Sequence, residues 1–188
     1  SAELPHSIAV AVDDMIERLG EKAASVEVER TVVPGGPASS LLDALAESGR
    51  VVDIDTAAQI LRGPALGAES APHVVITFDD GAADFCDHAV PVMRSLQLPS
   101  TLYLVTSAPD AGELPWGVPA ASWSALRDAT ADGLVAVQSH THRHTLLHHT
   151  SATATADELD RSIDSIAGQL GHPPTHFAYP KAVPGNRT

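Results

Sequence analysis

Residues 74–81 read VVITFDDG, and this stretch leaves few folds open. Two valines and an isoleucine run into Thr77 and Phe78, and the adjacent carboxylates Asp79 and Asp80 are followed at once by Gly81. β-branched and aromatic residues in an unbroken apolar run mark a strand buried on both faces, as in a parallel sheet covered by helices. The strand then ends in two charges. Burying one carboxylate costs several kcal/mol unless it is paired, and a neighbouring carboxylate adds repulsion. The pair therefore calls for a positive partner, and a metal ion is the natural one.

Downstream of this strand the pattern alternates. The spacing predicts a helix over 84–96, a strand over 100–106, a helix over 122–130, a strand over 134–138 and a helix over 157–170, with Leu159, Ile163, Ile166 and Leu170 inward. A further strand is expected from His176 to Tyr179. Trp123 and Leu126 fit the core face of their helix, and Cys86 reads as a small core residue. Such alternation implies parallel strands joined by right-handed crossovers, in an open doubly wound sheet or a barrel, with the site at the C-terminal strand ends.

The residues after these strands form one set. Asp79 and Asp80 follow the first, the tract SHTHRHTLLHH follows the third, and Tyr179, Pro180 and Lys181 follow the last. A carboxylate with His140 and His144, four apart, is an oxygen and nitrogen donor set suited to Zn, or to Co, Ni, Mn or Fe. Three protein ligands with open positions read as hydrolytic more than structural. Taken singly, Asp-Asp-Gly is a common turn and a histidine-rich tract a common solvated loop; their joint placement at strand ends favours a site. An alternative uses His140 and His142 as an H-x-H pair, as in other metallohydrolases, but the Asp and His that follow such a pair are missing.

The segment before residue 73 carries less pattern. Short strands over 7–12, 25–33 and 50–54 and helices over 13–22, 39–49 and 56–62 are expected, and the Ala, Gly, Pro and Ser-rich stretch 63–72 reads as a connection. The division is thus an N-terminal α/β lead-in, 1–72, packed on a catalytic region, 73–188. At 188 residues, 44% hydrophobic and 19% charged, the chain is ordinary globular protein. A formal charge of −13, from 11 Lys and Arg against 24 Asp and Glu, repels phosphate backbones and anionic lipid, so nucleic acid is not expected as a partner. The single cysteine excludes an internal disulfide and a multi-thiolate zinc site. No apolar run approaches the ~20 residues of a membrane span. Cytoplasmic and exported placements both fit.

TFDDG at 77–81, HT-x-x-H at 140–144 and FAYP at 177–180 resemble the first three motifs of the polysaccharide deacetylase family, carbohydrate esterase family 4 or NodB-homology domain. FAYP resembles the branch that includes poly-N-acetylglucosamine deacetylases. The resemblance runs from Val74 onward and implies a distorted (β/α) barrel that removes N-acetyl, occasionally O-acetyl, groups from sugars. It implies Asp79 as general base acting on metal-bound water, Asp80, His140 and His144 as metal ligands, and Thr141 as the hydroxyl that steadies the ligand loop. It also implies the Lys181 backbone N–H as oxyanion donor. Tyr179, Pro180 and Trp116 are candidate substrate contacts, although loop packing would explain Trp116 equally well.

Two departures follow. Ala178 and Lys181 stand where many members carry a base-orienting arginine and an aromatic. The family's later motifs, with the leucine and histidine that supply the general acid, do not follow Pro180 before Thr188, so the C-terminal strands of the barrel are expected to be missing from this chain. A truncated fragment, replacement by the N-terminal segment, or self-association with a second copy would each account for that, and Leu4 with His6 faintly resembles the missing pair. His142, His148 and His149 are the other candidate acids, each fitting an exposed loop histidine better. The runner-up function is a metal-containing carbohydrate-binding or scaffolding remnant without turnover.

Overall fold

The structure is a computed structural model that describes residues 50–63 and 73–181. The elements expected at 7–12, 13–22, 25–33 and 39–49 lie outside the described residues, as does most of the connection 63–72. The chain divides into two units, Ser1–Thr77 and Phe78–Thr188.

In the first unit, β1 (Arg50–Val51) pairs in parallel with β2 (His73–Val74), Arg50 against His73 and Val51 against Val74. Between them lies α1 (Ile54–Arg62). The expected strand 50–54 is cut short because Asp53 caps this helix: its carboxylate accepts from the Thr56 N–H at 2.7 Å. Ile54, Ala57 and Ala58, at helical spacing, form the buried face.

The single strand expected over 74–78 is two. β2 ends at Val74, and β3 (Thr77–Asp80) begins after a break. Apolar residues run through both halves, so composition hides the change of partner. β2 pairs with β1, whereas β3 is an edge of a three-stranded sheet ordered β3-β4-β5. β4 (Ser100–Leu104) and β5 (Val135–Ser139) run parallel, with Leu102 opposite Val137 and Leu104 opposite Ser139. Every residue of β4 is buried, as expected of a central strand covered on both faces. Beyond β5 the strand expected at His176 reduces to a single parallel bridge, Ser139 to Phe177. The N–H groups of Thr175 and His176 donate instead to the Gln138 side-chain oxygen, both at 2.8 Å, and Pro180 has no N–H to continue a ladder.

Helices cover this sheet. The helix expected over 84–96 opens as a π-helical turn, Phe85–Ala89, before α2 (Val90–Leu96). Pro91 cannot donate to residue 87 and its ring crowds that carbonyl, which accounts for the widened turn. The short α3 (Ala108–Ala111) follows β4. α4 (Trp123–Thr130) starts where Ser122 caps it, accepting from the Ala125 N–H at 3.2 Å. α5 (Ala152–Leu170) begins five residues earlier than expected, because Ser151 caps the Ala154 N–H at 3.2 Å.

Leu102, Leu104, Leu126, Val137 and Ile166 are fully buried in one cluster, each contributing about 1.5–3 kcal/mol by burial. Trp123 joins it, and Cys86 and Leu170 pack against it. The inward face of α5 differs from expectation. Ile166 is buried, but Ile163 is 40% exposed, and the other fully inward residues are Glu158 and Ser162. Among the described residues no helix is long and apolar enough to cross a membrane.

Candidate metal centre at the strand ends

The three motif segments meet at one end of the β3-β4-β5 sheet. The turn after β3 hangs from β4 by the Val105 N–H, which donates to the Asp80 carbonyl at 3.0 Å. The histidine loop leaves β5 with the His140 N–H donating to the Leu104 carbonyl at 3.0 Å. It is tied further where the Thr106 and Ser107 N–H groups donate to the carbonyls of Thr141 and His142. The third segment is held where the Ala178 N–H donates to the Ser139 carbonyl at 3.0 Å.

Each segment contains left-handed backbone at a non-glycine residue: Asp80 (φ 72°), Thr141 (68°), His144 (61°) and Lys181 (51°). Such residues cost about 1 kcal/mol or more each and collect at functional sites. Gly81, at φ 93°, adopts a backbone conformation that side chains rarely tolerate, and a Cβ there would run into the Leu104 Cδ1 methyl.

These backbones bring Asp80, His140 and His144 together, with one donor atom from each lying within 4.8 Å of the others. Asp80 Oδ1 is 3.5 Å from His140 Nε2 and 3.4 Å from His144 Nε2. That oxygen is buried and has no hydrogen-bond partner. His140 is buried, and its Nδ1 lies 3.0 Å from the Ala178 carbonyl. A carbonyl only accepts, so Nδ1 carries the proton and Nε2 turns a lone pair toward Asp80.

An imidazole lone pair facing an unpartnered carboxylate oxygen is repulsive unless a cation lies between them. Ligand atoms about 2.0–2.2 Å from one cation sit about 3–3.5 Å apart, which is the spacing found here for both histidines against Asp80. The Ala178 carbonyl is the kind of second partner that fixes a ligating histidine's tautomer. The donor set thus fits a divalent metal.

The electrostatics agree. Burial and then the Asp80 charge push the Asp79 carboxyl up to about 7. Burial raises Asp80 too, with Lys181 opposing. Burial, then the neighbouring His144, takes His140 down to about 4, and burial followed by Lys181 lowers His144. Both imidazoles are therefore neutral and able to ligate at neutral pH, and a cation between the groups would favour the ionised carboxylates. Asp79 Oδ1 is likewise buried without a partner. Tyr103, on β4, is near enough that Asp79, after burial, pushes its phenol up to about 12.

Around the trio, Thr141 Oγ1 accepts from the Thr145 N–H at 3.2 Å and so ties the ligand loop across its own turn. Trp116 stands edge-on to His144, ring centroids 5.0 Å apart, with the indole 47% exposed. It rides on a tight turn in which the Gly117 N–H donates to the Leu114 carbonyl and Leu114 is buried. Tyr179 is exposed and packs edge-on against Phe177 at 4.8 Å, while Pro180 is buried. His142 Nδ1 is 3.0 Å from Thr106 Oγ1, so it is His144, not His142, that converges with His140. His148 and His149 are exposed, their rings tilted against each other with centroids 3.9 Å apart.

Sequence reasoning missed Gln138, Glu158 and Ser162, which brace the site from behind. Glu158 accepts from the Arg143 N–H and from the Arg143 guanidinium, both at 2.8 Å, and Ser162 Oγ lies 2.8 Å from Ser139 Oγ. For Glu158 and Ser162 the one available signal was a polar pair four apart on a helix, and Gln138 gave none.

These features define an α/β protein that gathers one carboxylate and two imidazoles where its strands end. The chain belongs to the polysaccharide deacetylase family, whose model matches residues 67–188. No curated protein matches it significantly. Among solved structures it is similar to the Streptococcus pyogenes deacetylase PplD in complex with acetate (TM-score 0.64, 23% identity, 74% of this chain and 59% of that one). It is similar to IcaB from Ammonifex degensii (0.61, 26%, 79% and 70%). A de-N-acetylase from Aggregatibacter actinomycetemcomitans also matches (0.60, 20%, 82% and 73%). At 23% and 20% identity, the first and third show the shared fold. The chain spans 59% of the length of the streptococcal protein.

Proposed function

We propose that this chain is a metal-dependent carbohydrate deacetylase that hydrolyses the amide of an N-acetylated sugar, or the ester of an O-acetylated one, and that its fold is the distorted (β/α) barrel of the family's FAYP branch. The observation that carries this reading is the unpartnered Asp80 Oδ1 facing two imidazole nitrogens, next to Asp79, a second carboxylate with a buried, unpartnered oxygen. Asp80, His140 and His144 would hold the cation, with Zn the first choice and Co, Ni, Mn or Fe suited to the same donors. When bound, the cation supplies Lewis acidity toward the acetyl carbonyl and lowers the pKa of water.

Asp79 is the base. Its carboxylate neighbours the ligand Asp80, is short of hydrogen bonds and has a pKa pushed up toward neutrality, so it can accept the proton that the attacking water gives up. The Lys181 N–H, on a left-handed residue next to buried Pro180, donates to the oxyanion, and Trp116 and Tyr179 border the sugar.

Metal content after loading with Zn or Co, together with acetate release from N-acetylglucosamine oligomers, tests the proposal; a chain that takes up neither metal overturns it. Asp79→Asn should lower turnover by about 10²–10⁴-fold while leaving metal affinity within a few-fold. Retained turnover would place the base elsewhere. Metal and sugar binding without acetate release would favour the non-catalytic reading.

A further inference from the structure

The ligand loop is held from behind by a helix that supplies no ligand. Between His140 and His144 the backbone turns left-handed at Thr141 and again at His144. Internal bonds close part of this turn. The residue immediately before His144 is Arg143, and its main-chain N–H donates to Glu158 Oε2 at 2.8 Å, while Glu158 Oε1 accepts from the Arg143 guanidinium at 2.8 Å. The residue immediately before His140 is Ser139, whose hydroxyl lies 2.8 Å from that of Ser162. Glu158 and Ser162 are four apart on α5, one above the other on its inward face, with relative exposures of 3% and 0%. A carboxylate is almost never buried this deeply without a specific partner, and here the partner is the ligand loop.

We infer that Glu158 is a positioning residue for the metal centre: by gripping the Arg143 main-chain N–H it fixes the left-handed turn that aims His144 Nε2 at Asp80, with Ser162 bracing the other end of the loop. The inference rests on the metal-site reading above. The hold on the main chain, not the partly exposed ion pair with the guanidinium, does the aiming. An exposed guanidinium adds little, whereas the main-chain bond pins the peptide unit that leads into Arg143, one residue ahead of His144. Outer partners of metal ligands commonly change metal affinity by about 10–100-fold.

The test is Co2+ binding to the purified chain, followed by d–d absorption, for wild type, Glu158→Met, Glu158→Ala and Arg143→Ala. The expected result is a loss of Co2+ affinity of about 10–100-fold in Glu158→Met and Glu158→Ala, neither of which offers the Arg143 N–H an acceptor, with an altered absorption band. Arg143→Ala, which keeps the main-chain N–H, should stay within about threefold of wild type. If Glu158→Ala does not fold, Glu158→Met, which fills a similar volume without an acceptor, decides alone. Glu158 variants that melt earlier yet bind Co2+ with wild-type affinity and spectrum would overturn the inference. So would an Arg143→Ala variant that loses as much affinity as Glu158→Ala. A wild-type chain that binds no Co2+ would overturn the metal-site reading itself.

Discussion

Gly81 lies where the demands of the core and of the site coincide. Its positive φ lets the chain turn directly after Asp80, and its missing Cβ leaves room for the Leu104 methyl. Gly81→Ala would add about 1–2 kcal/mol of backbone strain and about 1–3 kcal/mol of overpacking. A lowered urea midpoint with an unchanged slope is the expected result, and a midpoint within error of wild type would show that Leu104 can move aside. Asp79 and Asp80 illustrate the same economy. They are adjacent in sequence, yet one oxygen of Asp80 faces two imidazoles while Asp79 has no such partners, so neighbouring carboxylates differ in what they can do.

α5 is where sequence and structure part most clearly. Apolar spacing pointed to Leu159, Ile163, Ile166 and Leu170; Ile166 and Leu170 do pack on the core, but the helix is rotated so that Glu158 and Ser162, not Leu159 and Ile163, are buried alongside Ile166. The polar pair is satisfied by residues 15 and 23 positions away in the chain, and nothing in a local window announces bonds of that range. Ile166→Ala should cost about 2–5 kcal/mol through the cavity it leaves, and Ile163→Ala no more than about 1 kcal/mol. Equal losses in thermal or urea unfolding would contradict this rotation. By contrast, the convergence of Asp80, His140 and His144 was legible, because Asp80 ends one recognisable strand, His140 directly follows another and His144 lies four residues further along the same loop. The break between β2 and β3 was not legible, since valine and isoleucine suit either sheet. Trp116 could be named but not placed, because its turn is fixed by the buried Leu114 and not by periodicity.

For the molecule as a whole, cation binding and folding should be linked. A site that exists only in the folded chain stabilises it by about 2.7 kcal/mol when the free metal is 100 times Kd, which for a chain of this size corresponds to about 5–10 °C in Tm. Zn2+ or Co2+ should raise Tm by that amount and EDTA should reverse the gain; a Tm indifferent to both would count against the centre. The charge of −13 works in the same direction by concentrating cations near the surface, so the gain should shrink as salt is added. One consequence concerns directed evolution. Among the described residues, four of the five non-glycine positions with positive φ lie in the three segments of the centre. A screen for heat resistance run in chelator would reward glycine or asparagine at Thr141 and His144, relaxing the backbone while erasing the site. The same screen run with cation present would hold those positions fixed and drive improvement into the helices instead.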